Sequence, residues 1–349
     1  MGTKYFKGRG AQYNPANPFA AHEYVREHWE GIDEDLPDVH TKVFFEYPRK
    51  VVNQVDSPDL GFDYSLNPYQ GCEHGCAYCY ARNSHQYWGF NAGLDFESRI
   101  VVKPEAPKIL DQQLLKKNWA VKPIMISGNT DCYQPLEKKF QLTRKILEVC
   151  LKYRHPVGLI TKNSLITRDI DLLGSLAELK LVKVMISVTT LAEKLRLKME
   201  PRTATAAKRM EVINKLSAAG IPCGVMVAPI IPGLTDQEIP AILKTAAEEG
   251  ARTANYTILR LNGHLEGLFT DWLGKNFPDR REKVLNQVKQ VHGGQVNDSE
   301  WGRRLRGEGP YAEYIARLFK LQRKKYFRDM MMPEYDLGLF RRGGVFKLF

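Results

Sequence analysis

Short apolar runs alternate with stretches whose apolar residues recur at helical spacing. Ile124-Met125-Ile126-Ser127 ends in Gly128, and Leu136, Phe140, Leu147, Cys150 and Leu151 follow at intervals that place them on one helix face. Residues 157–161 read as the next strand and 168–179 as the next helix. Residues 181–188 are strand-like, and 205–219 helical with Ala206, Met210, Ile213 and Leu216 on one face. A strand at 221–228, a helix at 236–249 and a strand at 253–259 complete the series. Strands separated by helices of this length indicate βαβ units and a parallel sheet. The apolar runs are nearly continuous, as strands covered on both faces should be. With a short strand at 62–69, the pattern makes about six βα steps, fewer than the eight of a closed barrel. The expected fold is therefore α/β, a partial (β/α)6 TIM-type barrel.

The flanks read differently. Residues 1–50 mix Gly, Pro and charge, as in Lys7-Gly8-Arg9-Gly10 and Asn14-Pro15-Ala16-Asn17-Pro18, which predicts an irregular arm with one helix near 20–29. Val43, Phe44, Phe45, Val51 and Val52 make 42–52 strand-like. After Leu261, two amphipathic helices are expected at 272–290 and 311–327, joined by Gly293-Gly294 and a Gly/Arg stretch at 302–309. In the second, Tyr311, Ile315, Leu318 and Tyr326 mark a core face and Arg317, Lys320, Arg323 and Lys324 the opposite one. The chain divides into an N-terminal arm (1–54), the partial barrel (55–261) and a basic helical C-terminal extension with a tail (262–349).

Composition narrows the setting. The chain has 349 residues, 43% of them hydrophobic, enough for a sizeable core. No apolar run approaches the roughly 20 residues of a membrane helix, and the N-terminus lacks the basic start and apolar stretch of a secretory signal. Met1-Gly2 begins like a myristoylation site, but Phe6 stands where Ser or Thr is required. The expected location is cytoplasmic and reducing, where clustered cysteines mean metal or catalysis. The net charge is +11, and residues 303–349 alone hold twelve Lys/Arg against five Asp/Glu. A basic extension suits a polyanionic partner such as DNA or RNA, or else it is a solvated helix with a basic bias.

The candidate chemistry lies in Gly71-Cys72-Glu73-His74-Gly75-Cys76-Ala77-Tyr78-Cys79-Tyr80, where three of the six cysteines are spaced C-x3-C-x2-C. Thiolates suit iron–sulfur clusters, zinc or copper(I). A cubane cluster takes four cysteines as a rule, so three leave a position open, the mark of a chemical site. The other reading is a zinc knuckle of Cys72, Cys76, Cys79 and His74 or His85. Gly71 and Gly75 allow a tight turn around a bound group. The loop follows a strand, which puts it at the sheet edge where parallel α/β proteins build sites.

This loop, with an aromatic before its last cysteine and about six βα units after it, resembles the radical S-adenosylmethionine (SAM) superfamily. Asn67-Pro68-Tyr69-Gln70-Gly71-Cys72, Tyr78-Cys79-Tyr80, Thr130-Asp131 and Leu159-Ile160-Thr161-Lys162 are similar, more narrowly, to the spore photoproduct lyase-like branch, over residues 55–260. The resemblance implies that Cys72, Cys76 and Cys79 hold a [4Fe–4S] cluster and that SAM chelates the open iron through its amino and carboxylate groups. An electron supplied by a partner such as flavodoxin or ferredoxin then breaks a sulfonium C–S bond. The 5′-deoxyadenosyl radical so formed abstracts a hydrogen from substrate.

The same resemblance implies that Lys162 pairs with the SAM carboxylate and that Ser187 hydrogen-bonds near it. Gly128 allows close backbone approach, and Thr130 is placed to bond the amino or carboxylate end. Their ordinary roles would be a turn residue (Thr130), a solvated lysine (Lys162) and a core hydroxyl (Ser187). Glu200 and Arg202 flank Pro201 in a loop over the site. Either could take the SAM ribose or a substrate phosphate, for which Arg is suited, or form a surface ion pair. The apolar stretch 228–235 suits adenine, or makes a rigid turn. Tyr78 and Tyr80 match a tyrosine pair of which the lyases use one as a hydrogen-atom relay. The lyases also place a hydrogen-donating cysteine just before their Ser/Thr-Asp pair. Gly128 occupies that position here, and Cys132 lies beyond Asp131, either a donor from a shifted position or a buried thiol. Cys150 and Cys223 read as core. The tail Val345-Phe346-Lys347-Leu348-Phe349 resembles peptides that dock on the bacterial sliding clamp, though it lacks their glutamine; a docked apolar terminus is the alternative.

The expected function is thus a radical SAM enzyme with lyase-like, DNA-repair-like chemistry on nucleic acid. The alternatives are a radical SAM enzyme acting on a protein or small molecule, and a zinc-containing nucleic-acid-binding protein without catalysis.

Overall fold

The computed structural model describes residues 5–19, 40–328 and 330–343. The helix expected at 20–29 and the tail 345–349, with its clamp-docking role, lie outside the described residues. Ten strands are present among the described residues: β1 (Lys42–Phe45), β2 (Val52–Gln54), β3 (Tyr64–Leu66), β4 (Tyr69–Gln70), β5 (Arg99–Val102), β6 (Ile124–Ile126), β7 (Val157–Thr161), β8 (Val182–Ser187), β9 (Cys223–Ile230) and β10 (Ala254–Ile258).

Seven of them form the main sheet in the order β10-β9-β8-β7-β6-β3-β2. From β3 through β6 to β10 every neighbouring pair is parallel, and only β2 runs antiparallel, at the edge. Six parallel strands with helices between them make a partial TIM-type barrel. Val157, Leu159, Val184, Ile186, Val225 and Val227 are all buried, because a strand with helices on one face and the barrel interior on the other has no wet side. The helices that return the chain include Leu142–Tyr153, Ile170–Glu178, Ala206–Ala218 and Ile239–Glu248. Thr205 caps the third, its hydroxyl accepting from Lys208 N at 3.2 Å.

Four local features depart from the periodicity. The helix expected through 136–151 breaks at Gln141, which is left-handed with φ 53°. The break lets Thr143 N donate to both Glu137 carboxylate oxygens at 3.1 Å, while Arg168 reaches Oε1 at 2.8 Å and Tyr69 Oη donates to Oε2. The helix expected at 272–290 begins earlier, as Leu265–Asn276, stops before Pro278 and resumes as Arg281–Gln290; proline has no N–H to continue a ladder. The strand-like stretch 42–52 divides between two sheets. β1 pairs in parallel with β5, and β4 pairs with β5 antiparallel, giving a three-stranded sheet whose central strand the periodicity did not announce. Finally, Glu193–Met199 is helical and leads into the loop at Glu200.

The C-terminal extension does more than pack on the outside. Helix Gly309–Tyr326 lies against Ile239–Glu248, with Tyr311 Oη donating to Asp236 Oδ2 at 2.7 Å. Before it, the chain runs along β10: Leu261 N donates to Val296 O and Ile258 N to Leu305 O, both at 2.9 Å. Arg304 then reaches Asp59 Oδ2 at 2.5 Å and Ser57 Oγ at 2.6 Å. Asp59 lies between β2 and β3, at the other edge of the sheet. Residues 296–305 therefore bridge the two edges of the open barrel. No helix among the described residues is long and apolar enough to cross a membrane.

Candidate active site

The cysteine loop leaves β4 and enters a 3-10 helix, Tyr80–Trp88. Its backbone is held from several directions. Gln134, fully buried, brackets it, with Nε2 donating to Gly71 O at 3.1 Å and Oε1 accepting from Glu73 N at 3.0 Å. Cys72 N donates to Phe96 O at 2.8 Å, and Ala77 N to Met199 O at 2.9 Å. Arg82 donates to Cys76 O from Nε (3.1 Å) and Nη2 (2.8 Å), and is itself paired with Glu97 at 2.5 Å. Both members of that pair are fully buried.

The N-terminal arm completes this support. Gly10 N and Ala11 N donate to the two oxygens of Glu97 at 3.1 and 2.7 Å, and Arg9 Nη1 to Glu97 O at 2.8 Å. The approach is close enough to require glycine: a Cβ on Gly10 would stand 1.8 Å from Gly75 O, and one on Gly75 2.7 Å from Glu97 Oε2. The composition of the arm, read as irregular, conceals this packing because its partners are some 65–90 residues away in sequence.

The ends of the barrel strands meet above the loop. After β6, Asp131 ties three elements together. Its Oδ1 accepts from Thr161 Oγ1 at 2.7 Å, its Oδ2 from Lys162 N at 2.8 Å, and His74 Nδ1 lies 3.4 Å from Oδ2. Burial by itself would raise this carboxyl, but His74 and these hydrogen bonds hold it at about 2. Lys162, after β7, sends Nζ toward Ala228 O at 3.4 Å and lies 5.8 Å from the Tyr78 ring centroid. Tyr78 is buried; its hydroxyl donates to Glu200 Oε1 and lies 3.1 Å from Thr189 Oγ1. Tyr80, by contrast, is 50% exposed, with its hydroxyl anchored on Gly128 O at 2.5 Å.

The remaining expected residues divide. Thr130 is buried and its hydroxyl donates to Tyr69 O at 2.5 Å. Ser187 ends β8, and its carbonyl accepts from Arg209 Nη1 at 3.0 Å. Arg202 lies at the rim, 3.6 Å from Glu73 Oε1, with its amide on His74 O at 3.3 Å. Glu200 has an internal occupation: it is fully buried, bonded by Tyr78 through one oxygen and paired with Arg209 through the other. Burial would raise its carboxyl, but Arg209 and then Lys162 hold it down at about 2. Of the two readings of Cys132, a donor from a shifted position or a buried thiol, its surroundings favour the second. It is fully buried in the main hydrophobic core with Leu66, Ile126 and Ile146, its amide on Ser127 Oγ at 2.7 Å. Ser127, which accepts that amide, turns in the left-handed region with φ 74°. Cys150 and Cys223 are core as expected.

Three thiols thus lie on one buried loop whose shape is fixed from outside. Burial pushes each of them up, Cys72 further by Asp131 and the neighbouring thiols, while Lys162 pulls Cys76 and Cys79 back. Buried thiols that resist ionisation alone become good ligands when a cationic group takes up their charge. Among the described residues, no three His, Cys, Asp or Glu side chains are placed to hold a single ion. A cubane asks its cysteines to reach three different corners, a wider set than one ion needs. The donor set fits the cluster, and Lys162 beside it fits a carboxylate.

Comparison with known proteins gives the family. The model of the Radical SAM superfamily matches residues 66–246, and the chain belongs to that superfamily. Its cofactors are a [4Fe–4S] cluster and SAM. An uncharacterized protein of Mycobacterium tuberculosis (strain H37Rv) is 33% identical over 234 residues, 66% of this chain and 69% of that protein. One from Methanocaldococcus jannaschii is 29% identical over 240 residues, 69% of this chain and 85% of that one. Among solved structures, spore photoproduct lyase complexed with dinucleoside spore photoproduct superposes with TM-score 0.62 at 14% identity, covering 86% of this chain and 85% of that one. At such identity the likeness is one of fold.

Proposed function

We propose that this protein is a radical SAM enzyme acting on nucleic acid, with lyase-like, repair-type chemistry. The observation that carries the reading is the division of labour between the two tyrosines flanking Cys79. Tyr78 is locked in the interior by Glu200 and Thr189, whereas Tyr80 presents half of its surface at the barrel mouth directly after the last loop cysteine. The basic charge of the chain supports a polyanionic substrate. The similar fold of spore photoproduct lyase, solved with a dinucleoside spore photoproduct, supports it at the level of architecture.

In this reading Cys72, Cys76 and Cys79 hold the cluster. When bound, the cluster and SAM supply reductive cleavage of SAM and a hydrogen-abstracting radical. The chain's own groups orient and enclose. Lys162 takes the SAM carboxylate, and Ser187 and Thr130 offer hydroxyl oxygens at the ends of β8 and β6. Gly128 leaves backbone room, Arg202 takes the ribose or a phosphate from the rim, and Glu200 fixes Tyr78. Tyr80, the tyrosine open to substrate, is the hydrogen-atom relay. A flavodoxin or ferredoxin in a reducing cytoplasm is the electron donor.

The test is anaerobic reconstitution with dithionite and SAM. 5′-Deoxyadenosine should form with the intact chain and not with Cys76→Ala. Irradiated DNA, undamaged DNA and RNA are then added separately, and one of them should raise the yield and give a modified product. If well-reconstituted protein responds to none of the three, the nucleic-acid reading is wrong.

A further inference from the structure

The rim where residues 296–305 bridge the sheet edges leaves one guanidinium without an ion pair among the described residues. Arg303 pairs with Asp298 at 2.5 Å and with Glu308 at 3.1 Å, and Arg304 pairs with Asp59 at 2.5 Å. Asp298, Glu308 and Asp59 are thereby paired. Arg260, two residues beyond β10, is half-buried and forms no hydrogen bond or ion pair among the described residues. Its strand end lies alongside the segment that carries another guanidinium, Arg304, since Ile258 N donates to Leu305 O at 2.9 Å. Burial first, then Arg304, lower its pKa, with Tyr80, Asp59 and Asp298 acting against them. A guanidinium withdrawn from water beside a like charge is costly unless an anion meets it.

Tyr80 is the group that gives the anion a context. Its hydroxyl is tethered to Gly128 O at 2.5 Å while its ring stays 50% exposed, so the aromatic face is fixed in orientation and open. Lys162 lies deeper, its Nζ 3.4 Å from Ala228 O and 5.8 Å from the ring centroid of the buried Tyr78; Arg260 lies at a strand end that meets the helix opened by Tyr80, since Asn262 O, two residues on, accepts from Asn83 Nδ2 of that helix at 2.8 Å. The two cations therefore serve different ligands.

We propose that Arg260 and Tyr80 form the substrate seat: Arg260 takes a backbone phosphodiester of a nucleic acid strand while a base of that strand lies on the Tyr80 ring. The proposal rests on the nucleic-acid reading above. A planar guanidinium matches phosphate oxygens in pairs, and aromatic faces hold unstacked bases whatever their sequence.

The test measures binding of fluorescein-labelled single-stranded DNA and RNA to the anaerobically reconstituted full chain with SAM. Matched strands with uncharged methylphosphonate linkages are run in parallel. Arg260→Gln should weaken binding of phosphodiester strands about tenfold and reduce the salt dependence by about one phosphate contact. It should leave the methylphosphonate strands unaffected. Arg260→Lys should fall between, and Tyr80→Leu should weaken both kinds of strand while Tyr80→Phe retains most of the affinity. Cluster absorbance and melting temperature monitor the fold of each variant. Unchanged phosphodiester binding by Arg260→Gln, or equal loss on charged and uncharged strands, overturns the seat and leaves the nucleic-acid reading standing. Failure of the intact chain to bind any strand overturns that reading and the seat with it.

Discussion

Glu97 holds Arg82 in a fully buried ion pair at 2.5 Å, and Arg82 in turn holds the carbonyl of Cys76. Because Gly10 and Ala11 donate to the same carboxylate, the N-terminal arm is part of the scaffold of the cysteine loop. Removing one partner of a buried pair leaves a charge without compensation, at a cost on the order of 3–5 kcal/mol. Glu97→Ala should therefore lower the melting temperature by many degrees and reduce the iron retained after reconstitution. Gly10→Ala, which changes no charge, should also reduce retained iron, because its Cβ would collide with Gly75 O. Iron and sulfide analysis of the two variants checks both; full retention in Gly10→Ala would show that the arm is not required.

The cysteines should separate cleanly. Cys76→Ala should lose the cluster and form no 5′-deoxyadenosine. Cys132→Ala should keep both and lose only about 1 kcal/mol of stability, the cost of a small cavity in a packed core. Loss of 5′-deoxyadenosine in Cys132→Ala, with cluster intact, would return that thiol to the active site.

Tyr78 and Glu200 offer a second contrast. Tyr78→Phe leaves Glu200 with Arg209 but without its phenol donor, an expected loss of about 1–3 kcal/mol. Glu200→Gln leaves Arg209 buried and unpaired, and should cost more, about 3–5 kcal/mol. Urea unfolding of the reconstituted variants gives the order; a milder effect from Glu200→Gln would contradict the assignment of Glu200 as Arg209's counter-charge.

The bridge across the open barrel should be visible in exchange kinetics. Arg304→Ala removes the contacts to Asp59 and Ser57. Amide exchange should rise at Gly302, which donates to Asp59, and at Ile258, which donates to Leu305 O. Interior strands such as β7 should be unaffected. Protection at Ile258 equal to that of the intact chain would mean that the segment is held without the latch.

Acid should destabilise the fold through His155. It is fully buried, accepting from Trp119 Nε1 at 3.1 Å and facing Pro156 O at 3.0 Å. Burial pushes its pKa down to about 4. Between the ordinary value near 6.5 and about 4, the unfolded chain binds a proton that the folded chain refuses. Stability from this group is full above pH 6.5 and is lost as pH falls toward 4, by about 3 kcal/mol in all. His155→Phe should flatten the pH dependence of unfolding by one proton across that window, and an unchanged slope would place the titration elsewhere.

The βα alternation was legible in the sequence because each parallel strand is buried on both faces and each helix on one. Composition and period follow directly from that burial, as Val157–Thr161 and Ala206–Ala218 illustrate. The cysteine spacing was legible for a similar reason, since ligands of one group on one loop must be close in sequence. What the sequence by itself determined, then, is the partial barrel and the cysteine loop here proposed to hold its cofactor. Tertiary structure decided which polar residues face that loop. Gln134, Asp131, Glu97 and Gly10 converge on it from separate elements, Cys132 turns away into the core, and Glu200 spends its charge on Arg209. Those outcomes depend on contacts between residues far apart in the chain, and a hydrogen bond or ion pair across such a distance leaves no periodic trace in the residues that make it.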